Sequence, residues 1–258
     1  MMKFLKSPAG IVCEILIIII FTLMQINSFI YGTTYENYII GIVTGFIELI
    51  ITVSFVQYVF DNKKMNDEKQ NELERISRLN IILSLYIENY TIYYNKISTP
   101  MGNERGKVSS KVFKKDFKLS DMYDLYKPSL LMRDEMYKSV IEMFYVMEKN
   151  IREIMIQILI NQEFKYYVCI RDLFLGFIDI SIKYDSSEAV ISYKNLNMRS
   201  NLDISKFLKE DADDLFEKFK EGNLENGNLV HPFIMLYYAM LFEANILEQY
   251  NNFIKSMK

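Results

Sequence analysis

The chain has no tryptophan, one histidine, two cysteines, four prolines and nine glycines in 258 residues. Each scarcity removes a class of chemistry. One histidine, His231, cannot supply the ligand sets or acid–base pairs of most zinc and hydrolase sites, and its place directly before Pro232 suits a helix start. Cys13 and Cys169 are far apart, in neither a C-x-x-C nor a zinc spacing, which argues against a disulfide framework and for a reducing compartment. The one stretch that resembles a phosphate loop, Gly102 to Gly106 followed by Lys107, has three residues between its glycines where four are needed, and Val108 where Ser or Thr is needed. The acidic cluster from Glu210 to Glu217 lacks the glycine and ligand spacing of a calcium loop. No Ser/His/Asp, Cys/His or paired-carboxylate arrangement stands out, so no catalytic residue, metal or cofactor is expected. A net charge of -3 excludes a generally basic nucleic-acid binder.

What is abundant is apolar sequence, unevenly placed. Half the residues are hydrophobic, and the excess lies in the first 60. Residues 11–30 and 38–60 are each long enough to cross a hydrocarbon core, which takes about 20 predominantly apolar residues. Lys3 and Lys6 precede the first run and Lys63, Lys64, Lys69 and Arg75 follow the second, while Tyr31–Asn37 between them has no basic residue. By the positive-inside rule both termini belong in the cytoplasm. The expected fold class is an all-α membrane protein: a two-helix transmembrane hairpin over residues 1–61, then a cytoplasmic helical domain over residues 62–258.

Within the second run Gly41, Gly45, Glu48 and Thr52 recur at helical spacing and share one face. The glycines form a G-x-x-x-G motif, which lets another helix approach closely. Glu48 falls near the bilayer midplane, where an ionised carboxylate facing lipid costs several kcal/mol, so it requires a polar partner or water. Glu14, Thr22 and Gln25 lie near one face of the first run, and the two polar faces are expected to meet. Two functions fit this stripe: a buried Glu48 hydrogen-bonding across a hairpin or dimer, or an oligomer whose Glu48 side chains line a cation-favouring path.

Residues 62–97 contain neither Pro nor Gly and read as a helix continuing from the second run. Leu73, Ile76, Asn80, Leu83, Ile87, Tyr90, Tyr94 and Ile97 alternate three and four apart as an a/d seam, with Asn80 at an a position that often fixes oligomer register. Ile81, Ile82 and Leu85 widen that stripe, favouring an intramolecular core over a coiled coil. Pro100, Gly102 and Gly106 end the helix. Arg105, Lys107, Lys111, Lys114, Lys115 and Lys118 then accumulate against Asp116 alone, a candidate contact for lipid headgroups, a nucleotide or another anion; if helical, Lys107, Lys111, Lys115 and Lys118 line one face. Helices are expected at 129–162, 164–185, 187–196, 203–221 and 232–257, the last a buried core helix.

The layout, a helical domain on a two-span anchor, is similar to the membrane effectors of bacterial anti-phage and toxin systems. It carries the expectation of a homo-oligomeric bacterial inner-membrane protein, not an enzyme, triggered by a nucleotide or protein partner to permeabilise the bilayer. The competing expectation is an anchored scaffold or partner-binding subunit without channel activity.

Overall fold

The computed structural model describes residues 8–29, 36–99, 110–131, 137–199, 203–225 and 227–257. Its elements are α1 (Pro8–Phe29), α2 (Glu36–Ser98), a 3-10 turn (Leu119–Asp124), β1 (Pro128–Leu131), β2 (Tyr137–Ser139), α3 (Val140–Asn161), α4 (Val168–Lys183), α5 (Ser187–Arg199), α6 (Ile204–Glu210), α7 (Ala212–Lys220) and α8 (His231–Ser256). Helix accounts for 82% of the described residues, so the class is all-α. Two compact bodies divide it, Met1–Asn71 and Glu72–Lys258, and α2 contributes to both.

In the first body α1 and the start of α2 are long and apolar enough to cross a membrane, with mean hydropathies of 2.2 and 2.4 over their best 18-residue windows. They touch where Cys13 and Leu16 are buried, the Cys13 sulfur lying 3.8 Å from the Ser54 hydroxyl. The less exposed stripe of α2 runs Ile39, Val43, Phe46, Ile50, Ser54 and Gln57, and that of α1 runs Gly10, Cys13, Leu16, Ile20 and Leu23. Most other large side chains here, Ile18, Phe21, Ile51 and Phe55 among them, are exposed.

The second body is built around α8 and the end of α2. Phe233, Leu236, Met240, Glu243, Leu247 and Tyr250 of α8 and Leu83, Ile87, Tyr90, Tyr94 and Ile97 of α2 are buried at three- and four-residue intervals. The Tyr90 ring lies 5.1 Å from Phe144 and 6.0 Å from Phe113, and α4 closes the layer with Phe174 and Phe177. Asn80, the expected register residue, accepts a hydrogen bond from the Tyr250 hydroxyl at 3.1 Å within the chain. Ile81, Ile82 and Leu85, the residues that widened the seam, are exposed. The seam does enter the core, but without them.

The helix expected from residue 129 starts at Val140. Pro128 fixes the backbone at the head of β1, which pairs antiparallel with β2. Ser139 then caps α3: Glu142 accepts from its backbone N–H and its hydroxyl, both at 2.6 Å. This is the S-x-x-E capping box, present in the sequence at 139–142. The helix expected over 203–221 is two helices, broken at Asp211, which ends α6 and begins α7. Gly222 ends α7 at φ +74°, a conformation that favours glycine, with Asn223 N–H bonded to Lys218 C=O and Gly222 N–H to Phe219 C=O in the Schellman pattern.

Candidate functional site

The polar stripe of the first body is open. Gly41, Gly45, Glu48 and Thr52 are all exposed, and a Cβ at either glycine would meet nothing within 4 Å. Thr52 donates to the Glu48 backbone carbonyl at 2.8 Å, and the Glu48 carboxylate has no hydrogen bond among the described residues. Glu14, Thr22 and Gln25 are exposed too, and Thr22 donates to the Ile18 carbonyl at 2.9 Å. The expected meeting of the two polar faces does not occur within the chain. Helix α1 contacts α2 through the Cys13–Ser54 side instead, because small side chains there let the backbones approach.

The basic segment is not helical. Arg105 and Lys107 lie outside the described residues. From Lys111 to Lys118 the chain has no regular secondary structure and is tied to the end of α2 by Asn95, whose amide donates to the Val112 carbonyl at 2.8 Å and accepts from Lys114 N–H at 2.9 Å. Phe113 and Phe117 insert into the core. Lys114 Nζ donates to the Ser98 carbonyl at 3.2 Å, and Lys115 pairs with Glu248 at 2.5 Å. Lys111 and Lys118 have exposed side chains, and Lys118 N–H donates to Asp121. In the acidic cluster, Asp213 accepts from Ser120 N–H and hydroxyl at 2.9 and 2.7 Å and so pins the 3-10 turn. His231 packs edge-on against Phe219 at 5.3 Å in the first turn of α8.

Polar chemistry that sequence reasoning missed sits inside the second body. Glu243, fully buried on the core stripe of α8, accepts a 2.5 Å hydrogen bond from Tyr90 through Oε2, while its Oε1 has no partner among the described residues. Glu148 of α3, 8% exposed, accepts from the Ser181 hydroxyl, and Arg152 Nη1 donates to Ser181 at 2.8 Å while lying 3.9 Å from Glu148. Burial pushes the Glu148 carboxyl up to about 7 against the opposing pull of Ser181 and Arg152. Burial, then the nearby Glu148 charge, holds Glu243 well above the carboxylate range, so the pair is favoured with a proton on Glu243. The signal was available: residue 243 falls in the same three-and-four rhythm as Leu236, Met240, Leu247 and Tyr250, so an acid there is a core acid.

Glu148 also borders an open cleft of about 320 Å³ between α3 and the start of α5, lined by Lys138, Glu142, Tyr145, Lys149, Arg152, Asp185, Ser187 and neighbours. Among the described residues no cluster of three or more metal-type ligands occurs. No protein-family model, curated protein or solved structure matches the chain.

Proposed function

We propose that this chain is a homo-oligomeric membrane effector of the bacterial inner membrane, of an anti-phage or toxin-like kind, whose helical domain senses a ligand or partner and opens a path through the bilayer. The observation that carries the reading is the open stripe of Gly41, Gly45, Glu48 and Thr52 on a helix whose apolar window has none of its residues buried. A core helix of a soluble protein buries such a window; here the apolar surface calls for lipid. Lipid does not suit Glu48, and α1 leaves it uncovered, so a second copy or water has to meet it. Two spans per chain cannot enclose a path alone, and a small-residue stripe is the kind of surface on which several copies pack. Both termini are then cytoplasmic, with the basic flanks on the inner side.

Expression in bacteria with a potential-sensitive dye tests this. Triggered or overexpressed wild type should depolarise cells, while Glu48→Ala and Gly45→Leu should do so less at equal membrane abundance. Absence of depolarisation by the wild type under every trigger supports the anchored-scaffold reading instead.

A further inference from the structure

The cleft on α3 contains three carboxyl groups, and each is already engaged by the chain. Glu142 accepts from Ser139 and, at 2.7 Å, from Lys194; burial works against its charge, but Lys194 and Ser139 outweigh burial and hold its carboxyl below the usual range. Glu148 accepts from Ser181 and faces Arg152. Asp185 accepts from the Ser187 backbone N–H at 2.9 Å.

The cations are differently placed. The Lys138 side chain has no hydrogen bond or ion pair among the described residues, and the Lys149 side chain has only a 3.8 Å approach to that of Glu153, with both members of that pair more than half exposed. Such a surface pair is worth little. Arg152 commits Nη1 to Ser181, leaving its other N–H groups without a partner among the described residues. Tyr145, whose hydroxyl shares a 3.2 Å hydrogen bond with the Ser186 hydroxyl, adds a polar group to the wall. Each carboxyl of the cleft thus already holds at least one donor, whereas the ammonium groups of Lys138 and Lys149 and the remaining N–H groups of Arg152 stay available, and the complement of those donors is an acceptor-rich anion.

We infer that the cleft between α3 and the start of α5 binds a small phosphate- or carboxylate-bearing anion, gripped by Lys138, Lys149 and Arg152. This rests on the sensing role proposed above and gives its trigger a chemical class. Its volume lies at the lower end of ordinary small-molecule sites, about the size of a mononucleotide or a smaller anion. Glu148 sits at the edge of the site with Arg152 on its own helix, Asp185 in the turn after α4, Glu243 on α8 and Tyr90 on α2 all acting on it electrostatically or being acted on by it. An anion placed beside Arg152 repels the ionised form of Glu148, so ionisation of Glu148 opposes binding as the pH rises through neutrality.

The test is isothermal titration of the full chain in detergent micelles with three probes: inorganic pyrophosphate, AMP and succinate. Saturable binding of pyrophosphate or AMP identifies a phosphate site, and saturable binding of succinate alone a carboxylate site. The double variant Lys138→Gln/Lys149→Gln should lose at least tenfold in affinity for the probe that binds, with an unchanged circular-dichroism melt. Glu148→Gln should bind about threefold more tightly than wild type at pH 8. No binding of any probe at millimolar concentration, double-variant affinity within twofold of wild type, or no gain in Glu148→Gln overturns the inference. Dye depolarisation by overexpressed protein is read separately, so an empty cleft and an inactive membrane stripe are distinct results.

Discussion

Replacing Tyr90 by Phe deletes one oxygen atom from the centre of the second body and nothing else. The ring stays packed among Phe113, Phe144 and Phe177, so no cavity opens. The hydrogen bond lost is the 2.5 Å contact to Glu243, and because Glu243 Oε1 already lacks a partner, the variant leaves the whole carboxyl group buried without one. A hydrogen bond to a protonated, neutral carboxyl contributes about 0.5–1.5 kcal/mol net, and leaving a buried polar group unsatisfied costs about 1–3 kcal/mol. The two figures describe one loss, so the expected destabilisation is about 2 kcal/mol, or roughly 4–8 °C in Tm for a body of this size. The double variant Tyr90→Phe/Glu243→Leu removes both partners at once and should recover most of that loss, giving a coupling of at least about 1.5 kcal/mol. With 19 tyrosines and no tryptophan, near-ultraviolet circular dichroism of the full chain in micelles follows the packing of this body through thermal unfolding. A Tyr90→Phe loss under about 0.5 kcal/mol, or strictly additive effects in the double variant, would refute a buried acid held by that hydroxyl.

Glu148 gives a pH dependence of definite sign. Its carboxyl is raised from 4.5 to about 7, so between those values the folded protein holds a proton that the unfolded chain releases; stability is full below about 4.5 and declines as the pH rises to about 7, by on the order of 3 kcal/mol. Glu148→Gln should flatten that slope in melts taken from pH 5 to 8, and an unchanged slope would remove Glu148 from the account. Glu72, buried on α2, accepts from the Tyr166 and Tyr167 backbone N–H groups just before α4, at 3.1 Å at their closest, where no side chain of α4's own caps the helix. Glu72→Ala should therefore cost about 1–3 kcal/mol in the same melts, with hydrogen exchange accelerating first at the start of α4; loss of less than 0.5 kcal/mol would mean water replaces the carboxylate.

Periodicity made much of this architecture readable before any coordinates. The unbroken helix over residues 62–97 and the seam Ile76, Leu83, Ile87, Tyr90, Tyr94 and Ile97 follow from spacing alone, since only an α-helix brings those residues to one side. The reason given for an intramolecular seam rested on the wrong residues: Ile81, Ile82 and Leu85 point out, and burial is completed by Phe113, Phe117 and Tyr250, which lie distant in sequence. Local signals lost to composition at two places. The helix-like run after Pro128 concealed a strand pair although Ser139 and Glu142 marked the true start of α3, and the density of lysines from 111 to 118 suggested a helix face where Asn95 holds an irregular strap. The Glu148 and Glu243 cluster was not legible as a site, because its members come from helices nearly a hundred residues apart and only tertiary packing joins them with Tyr90 and Ser181.

The buried acid of the second body and the hydroxyl that holds it lie 153 residues apart, Glu243 on α8 and Tyr90 on α2. Joining them closes a long loop, and loop closure costs conformational entropy that only the finished contacts repay. The pair is therefore a late lock: it forms when α8 docks and completes the core, not when the end of α2 first winds into a helix.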